Sequence, residues 1–355
     1  TRTDTLFPYT TLFRSLELRL FDNRLGFDLA WYRSNATNQL IRLPMDPASG
    51  YEAKIINAGD IQNEGFELMI TADILRSEAF KWNAQLNLSH NENRIIKLYQ
   101  GNGQDSPVTE YDLGTYDNLQ ILAREGGKYG EIWGTTFKRV EDPSSPLYGK
   151  ILTDADGLPI AGEKKKLGDQ QPDLLAGLTN TFSFAGFDLS FLVDARIGGK
   201  MFSGTNHALQ ANGSSANTAV NGRKKFVVDG AVEKNVGGKK VYEKNTTEVT
   251  PQDYWGAISG RSGNLGINEA NVFDATNVRL RNIALSYTLP QSLLRKTPIT
   301  RAKLGFSCNN VWMIKSYMNG VDPESVFATG SNATGYEFAS SPTTRSFLFN
   351  ITLGF

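Results

Sequence analysis

The chain contains one cysteine, Cys308, and two histidines, His90 and His207, among 355 residues. A single cysteine excludes an internal disulfide, and without a Cys/His cluster there is no zinc site to assemble. Neither charge sign is in excess: Lys plus Arg and Asp plus Glu number 37 each, so no basic footprint for nucleic acid is present. No window approaches the roughly eighteen uninterrupted apolar residues of a transmembrane helix. A β-barrel stays open, because its strands need only about ten alternating residues. Catalytic patterns are missing too: no histidine lies near a Ser and Asp in a nucleophile setting, and no Gly-rich phosphate loop opens a helix. The chain is expected to be neither an enzyme nor a cofactor carrier.

What is present is alternation. Phe347, Phe349, Ile351, Leu353 and Phe355 share one face of a final strand, with Ser346, Leu348, Asn350, Thr352 and Gly354 on the other. The same period of two recurs in Leu16 to Phe21, Leu25 to Ile41, Phe66 to Ile74, Phe80 to Leu88, Leu178 to Phe184, Phe187 to Ile197, Val278 to Leu289 and Ala302 to Val311. That makes nine strands with antiparallel neighbours. Between Leu280 and Ile283 the alternation slips, which predicts a bulge.

The connections alternate in length. Short ones fall at Asp22 to Arg24, Leu75 to Ala79, Ala185 to Gly186 and Pro290 to Pro298; long ones at Arg42 to Asn57, Leu98 to Asp173, Met201 to Asn271 and Ile314 to Pro342. A membrane barrel sorts short turns to the periplasm and long loops outside, whereas a soluble β-sandwich has no reason to. The apolar faces then meet lipid and the polar faces a lumen. Turning Asp188, Asp194 and Arg196 to lipid would cost roughly 2 to 4 kcal/mol for a cation near the midplane. A soluble β-rich binding module and a passive porin or siderophore-type receptor are the competing readings.

Thr5 to Ser15, TLFPYTTLFRS, reads as the in-frame translation of a sequencing adapter. Residues 1–15 are therefore set aside from fold reasoning, and the native chain is expected to begin in mid-domain at Leu16. Beyond it, several stretches carry a resemblance: NAGDIQNEGFEL (Asn57 to Leu68), FKWNAQLNLSHNENRIIKL (Phe80 to Leu98), LGDQQPDLLAGLTNTFSFAGFDLSFLVDARIGGK (Leu167 to Lys200), VTPQDYW (Val249 to Trp255), NVRLRNIALSYTLP (Asn277 to Pro290), VDPES (Val321 to Ser325) and FLFNITLGF. In this order they resemble the C-terminal part of the SusC/RagA family of TonB-linked outer-membrane proteins of Bacteroidetes. The resemblance implies an all-β fold in which residues 16–355 form about nine strands of a roughly 22-stranded plugged transmembrane barrel. It further implies import of oligosaccharides, peptides or other large nutrients across the outer membrane. The implied partners are a SusD-like surface lipoprotein, the TonB complex through an N-terminal plug and TonB box with no counterpart here, the assembly machinery and the lipid bilayer. The alternate apolar residues ending at Phe355 resemble the signal which that machinery reads.

Candidate contact residues lie in the long loops. Trp133, Tyr254 and Trp255 are aromatic platforms for a sugar ring or a lid protein, with internal loop packing as the alternative. Asp154, Asp156 and Gly157 have the spacing of the start of a calcium loop, but no bidentate Glu follows, so a tight turn is favoured over a metal site. Lys164 to Lys166 and the Lys239 and Lys240 pair are expected to be solvated loop charges. Sequons such as Asn212 and Asn332 carry little meaning in a bacterial outer membrane, and Asn350 lies inside the final strand.

Overall fold

A computed structural model describes residues 9–44, 50, 53–101, 107–260, 265–327 and 330–355. Nine strands form one sheet in chain order: β1 Tyr9–Leu20, β2 Leu25–Pro44, β3 Ala53–Arg76, β4 Phe80–Lys97, β5 Leu174–Phe184, β6 Phe187–Ile197, β7 Asn277–Thr288, β8 Arg301–Ser316 and β9 Ser346–Gly354. Every neighbouring pair is antiparallel, and β1 and β9 are open edges. The nine alternating runs are thus the nine strands.

Period-two alternation sorts the two faces. Phe349, Phe306, Leu285, Leu189, Phe182 and Trp82 stand in register across six strands, while the adjacent row carries Asn350, Gly305, Ser286, Asp188, Ser183 and Lys81. Rings crowd the apolar face near the short turns: Phe80, Trp82 and Phe191 surround Phe182, and Phe187 lies 4.3 Å from Tyr287 between centroids. A second aromatic band crosses Trp31, Phe66 and His90, which are paired partners on β2, β3 and β4. Eight residues separate Trp82 from His90, about 27 Å along a strand and about 20 Å along the normal at a barrel tilt of about 40°. Two girdles at that spacing fall a little inside the roughly 25 Å apolar band of a membrane barrel.

Several strands outrun the sequence expectation. β2 and β3 pair from Leu25↔Ala72 up to Pro44↔Ala53, so half of the expected Arg42–Asn57 loop is strand; of its remainder, 45–49 and 51–52 lie outside the described residues. The reason is polar pairing above the apolar band, where alternation carries no hydrophobic signal: Asn35 Nδ2 donates to Asp60 at 2.8 Å, and Arg33 pairs with Glu64 at 3.2 Å. β1 likewise starts at Tyr9, inside the segment set aside as adapter-derived; residues 1–8 lie outside the described residues. Its register puts Phe13 opposite lumen-facing Tyr32 and Arg14 opposite Trp31. At Phe13 and Arg14 the apolar-out pattern of Leu16, Leu18 and Leu20 is therefore reversed.

Two close approaches require glycine. At Gly65 a Cβ would collide with the His90 carbonyl and with Tyr32, whose ring lies across the gap to donate to Asn91 Oδ1 at 3.0 Å. At the two-residue β5–β6 turn, Ala185 and Gly186 both have positive φ, 48° and 82°, as the hairpin's twist demands. Gly186→Ala would place a methyl 3.0 Å from the Thr288 carbonyl in a left-handed backbone. A loss of about 1 to 2 kcal/mol is expected, read as a lower urea midpoint for refolding of the full-length protein into lipid.

The long connections are folded, which periodicity did not reveal. Leu119, Ile121, Ile132, Phe202, Leu265, Ala333 and Tyr336 make one buried cluster drawn from all three of the largest loops. Tyr336 stacks on Tyr116 at 3.9 Å and on Phe202 at 5.8 Å between centroids. The helices α1 Gly204–Ala211 and α2 Pro251–Ser259 lie in the second of these loops. A short helix, α3 Gln291–Leu294, occupies the β7–β8 turn.

Candidate lumenal site and loop body

The polar face of the sheet carries an ion network beneath the loop body. At the slip read from the sequence, Leu192 pairs with Asn282 and Val193 with Leu280, so Arg281 is the extra residue of a bulge. The bulge sends Arg281 to the same face as Asn282 while Ile283 stays on the apolar side. Arg281 Nη2 then donates to Asp194 at 2.6 Å and to Glu324 at 2.5 Å. Arg279, 4% exposed, donates to Asp322, which also accepts from the Thr343 hydroxyl at 2.7 Å and the Thr343 amide at 3.0 Å. Four charges thus bind the VDPES segment to the wall.

Electrostatics follow from this packing. Burial pushes the Asp322 carboxyl up, but hydrogen bonds from Arg279, Thr343 and the Glu324 amide outweigh it and hold the group far below the usual carboxylate range. The hydrogen bond from Arg281 lowers Glu324 against a burial penalty. Both carboxylates are thereby stabilised as anions. Nearby, Arg196 donates to the Gln170 carbonyl at 2.7 Å while its Nε is buried without a partner.

The loop body docks at further points. Asn93 Oδ1 accepts from the Tyr129 amide at 3.0 Å, and the Ile95 amide donates to the Gly127 carbonyl at 2.9 Å. Glu337, 1% exposed, accepts from Ser203 and Thr205 at the start of α1, joining the loop after β8 to the loop after β6. Gln170 bonds both Gly335 and Asn332.

The aromatic candidates separate into two settings. Trp133 lies in a loop strand, Tyr129–Phe137, with its indole N–H donating to Glu131 at 2.9 Å and the Arg124 guanidinium 4.2 Å over its ring. Burial raises Glu131, and bonds from Lys166 and Trp133 overcome it, so this carboxylate too stays ionised. Tyr254 and Trp255 lie on α2, edge to face at 5.1 Å, with Tyr254 resting on Phe226 at 5.1 Å. Trp255 helps line a cavity of about 430 Å³.

Asp154 closes a turn: its Oδ1 accepts from the amides of Asp156 and Leu158 at 3.0 and 2.9 Å, and Gly157 has φ +80°. Lys166 pairs with Glu131 and Lys240 with Glu233, while Lys164 bonds Gln120. Phe347, Phe349, Ile351 and Phe355 are 61 to 81% exposed on the unpartnered β9 side of the sheet.

The chain is similar to known proteins over most of its length. A family model described as TonB dependent receptor-like, beta-barrel matches residues 8–145. The TonB-dependent receptor P3 of Formosa agariphila is 26% identical over 96% of this chain, and SusC of Bacteroides thetaiotaomicron 23% over 98%. The RagAB peptide transporter structure superposes with TM-score 0.66 at 19% identity, covering 96% of this chain and 34% of that one. The chain is SusC/RagA-like. It spans about a third of the length of the curated relatives it matches.

Within this SusC/RagA-like wall, the residues that sequence reasoning passed over are Arg279, Arg281, Asp322 and Glu324. Two arginines beside a predicted bulge were the available signal. Their partners lie 43 residues away in sequence, and no periodicity connects the two segments.

Proposed function

We propose that this chain is barrel wall and outer loops of a TonB-dependent outer-membrane importer of large nutrients, oligosaccharide or peptide, working with a SusD-like lipoprotein lid. One observation carries the reading: every long loop leaves the same end of a sheet with one apolar face, and the three largest of them fold into a body anchored to the polar face. A pore lining needs only short polar strands; a docked loop body is suited to receiving cargo and a lid. Energy coupling would come from a plug and TonB box supplied elsewhere in the full-length protein. Deleting the parent gene should abolish growth on one defined glycan or peptide mixture, and complementation should require TonB. Uptake unaffected by loss of TonB would overturn the reading in favour of a passive porin.

Within this proposal the exposed row ending at Phe355 serves barrel assembly. Phe355→Ala in the full-length protein is expected to lower heat-modifiable, membrane-assembled receptor several-fold. Unchanged outer-membrane levels would remove that role.

A further inference from the structure

The 430 Å³ cavity lies between the end of α1, the 216–223 turn and the start of α2. Its volume suits a sugar ring or two. Gln210 lines it at 3% exposure, with Oε1 accepting from Ser259 at 3.2 Å and Asn271 at 3.0 Å. Its oxygen is thereby committed inward, and the amide nitrogen is the group it has to offer a ligand. Thr218, 4% exposed, gives its hydroxyl proton to the carbonyls of Ser215 and Gly213, which leaves an acceptor lone pair. The Trp255 ring forms a wall braced by Tyr254. An aromatic wall with one buried donor and one buried acceptor matches a polyol better than an apolar side chain.

The charge around the cavity is one-sided. Arg223 lines it, held by a 2.9 Å bond to the Gly213 carbonyl, and Lys224 and Lys225 follow, all exposed. Among the described residues these three cations make no ion pair, whereas Lys150, Lys166, Lys234 and Lys240 in the same loop body do. Among the described residues no carboxylate lines the cavity, and the nearby Asp253 carboxylate is engaged by the Thr250 hydroxyl at 2.6 Å. Unspent positive charge beside a polyol-shaped lining selects an anionic partner.

We propose that this cavity is a subsite for a saccharide residue bearing an anionic group, a uronate or a sulfate ester. The ring's C–H face lies on Trp255, its hydroxyls meet Gln210 and Thr218, and Arg223 takes the anion. The proposal rests on the outward-facing placement of the loops adopted under Proposed function.

The test is calorimetry on the full-length receptor purified from outer membrane, with digalacturonate, galactose 6-sulfate, lactose and inorganic sulfate as probes. One or both anionic sugars should bind, and which of the two does so identifies uronate or sulfate ester. Lactose should bind at least about tenfold more weakly, as expected for loss of a charge-assisted hydrogen bond. Arg223→Gln, an exposed position outside any buried cluster, should bring the anionic sugars to the level of lactose. Ala211→Trp, which fills the cavity, should abolish binding of all three sugars in receptor that remains heat-modifiable. Equal affinity for lactose, displacement by inorganic sulfate alone, or indifference to Arg223→Gln would each overturn the proposal. No binding by a receptor that still imports a nutrient would overturn the subsite and leave the import reading standing. Binding that survives in a receptor with no import role would do the reverse.

Discussion

Arg279→Leu is expected to release the VDPES segment from the barrel wall at a cost of about 3 to 5 kcal/mol, the range for removing one partner of a buried ion pair. Arg279 and Asp322 have side chains only 4% and 9% exposed, so water cannot replace the lost guanidinium. The expected readout is protease cleavage within 317–345 in otherwise assembled receptor, together with a lowered melting temperature. Asp322→Asn alone should cost less, because the amide keeps its bonds with Thr343 in part. The double variant Arg279→Leu, Asp322→Leu should recover part of the loss, since an apolar pair of similar volume leaves no orphan charge. The pH dependence has a fixed sign. Asp322 and Glu324 are depressed in the folded state, so their contribution is complete above the ordinary carboxylate range near pH 4 and fades as pH falls towards their folded values. Loop protection that weakened as pH rose from 5 to 8 would contradict the network.

Leu178→Arg is expected to cost about 2 to 4 kcal/mol of assembled stability, because the position lies at the middle of the apolar band. Leu178 pairs with Leu86 on one side and Val193 on the other, midway between the two girdles, and is 39% exposed on the lipid-type face. Thr179→Arg, one residue on, points to the polar face and should be nearly neutral. Refolding into lipid vesicles measures both, and equal costs would mean that the two faces had been assigned wrongly. The contrast is sharp because a one-residue step in a strand exchanges lipid for lumen.

Both predictions concern the wall, and the wall is where the sequence spoke most plainly. Each of the nine strands announced itself through alternation, because a residue facing lipid must be apolar and its neighbour need not be. The bulge at Arg281 was legible on the same ground, as a break in phase between Leu280 and Ile283. Where the strands rise past the aromatic girdle, as at Asn35 and Asp60, both faces are wet and the signal stops. The β2–β3 hairpin therefore ran further than its periodicity.

What the sequence by itself determined is this amphipathic sheet, its chain-order topology and its sorting of long and short connections, since these follow from local period and spacing. What only the tertiary structure decided is the loop body. Leu119, Phe202 and Tyr336 come from three separate loops and bury one another, Trp133 and Trp255 part into different environments, and Arg279 meets Asp322 across 43 residues. Such contacts depend on where the strands deliver the loop ends, and the period of a strand carries no information about what those loops meet.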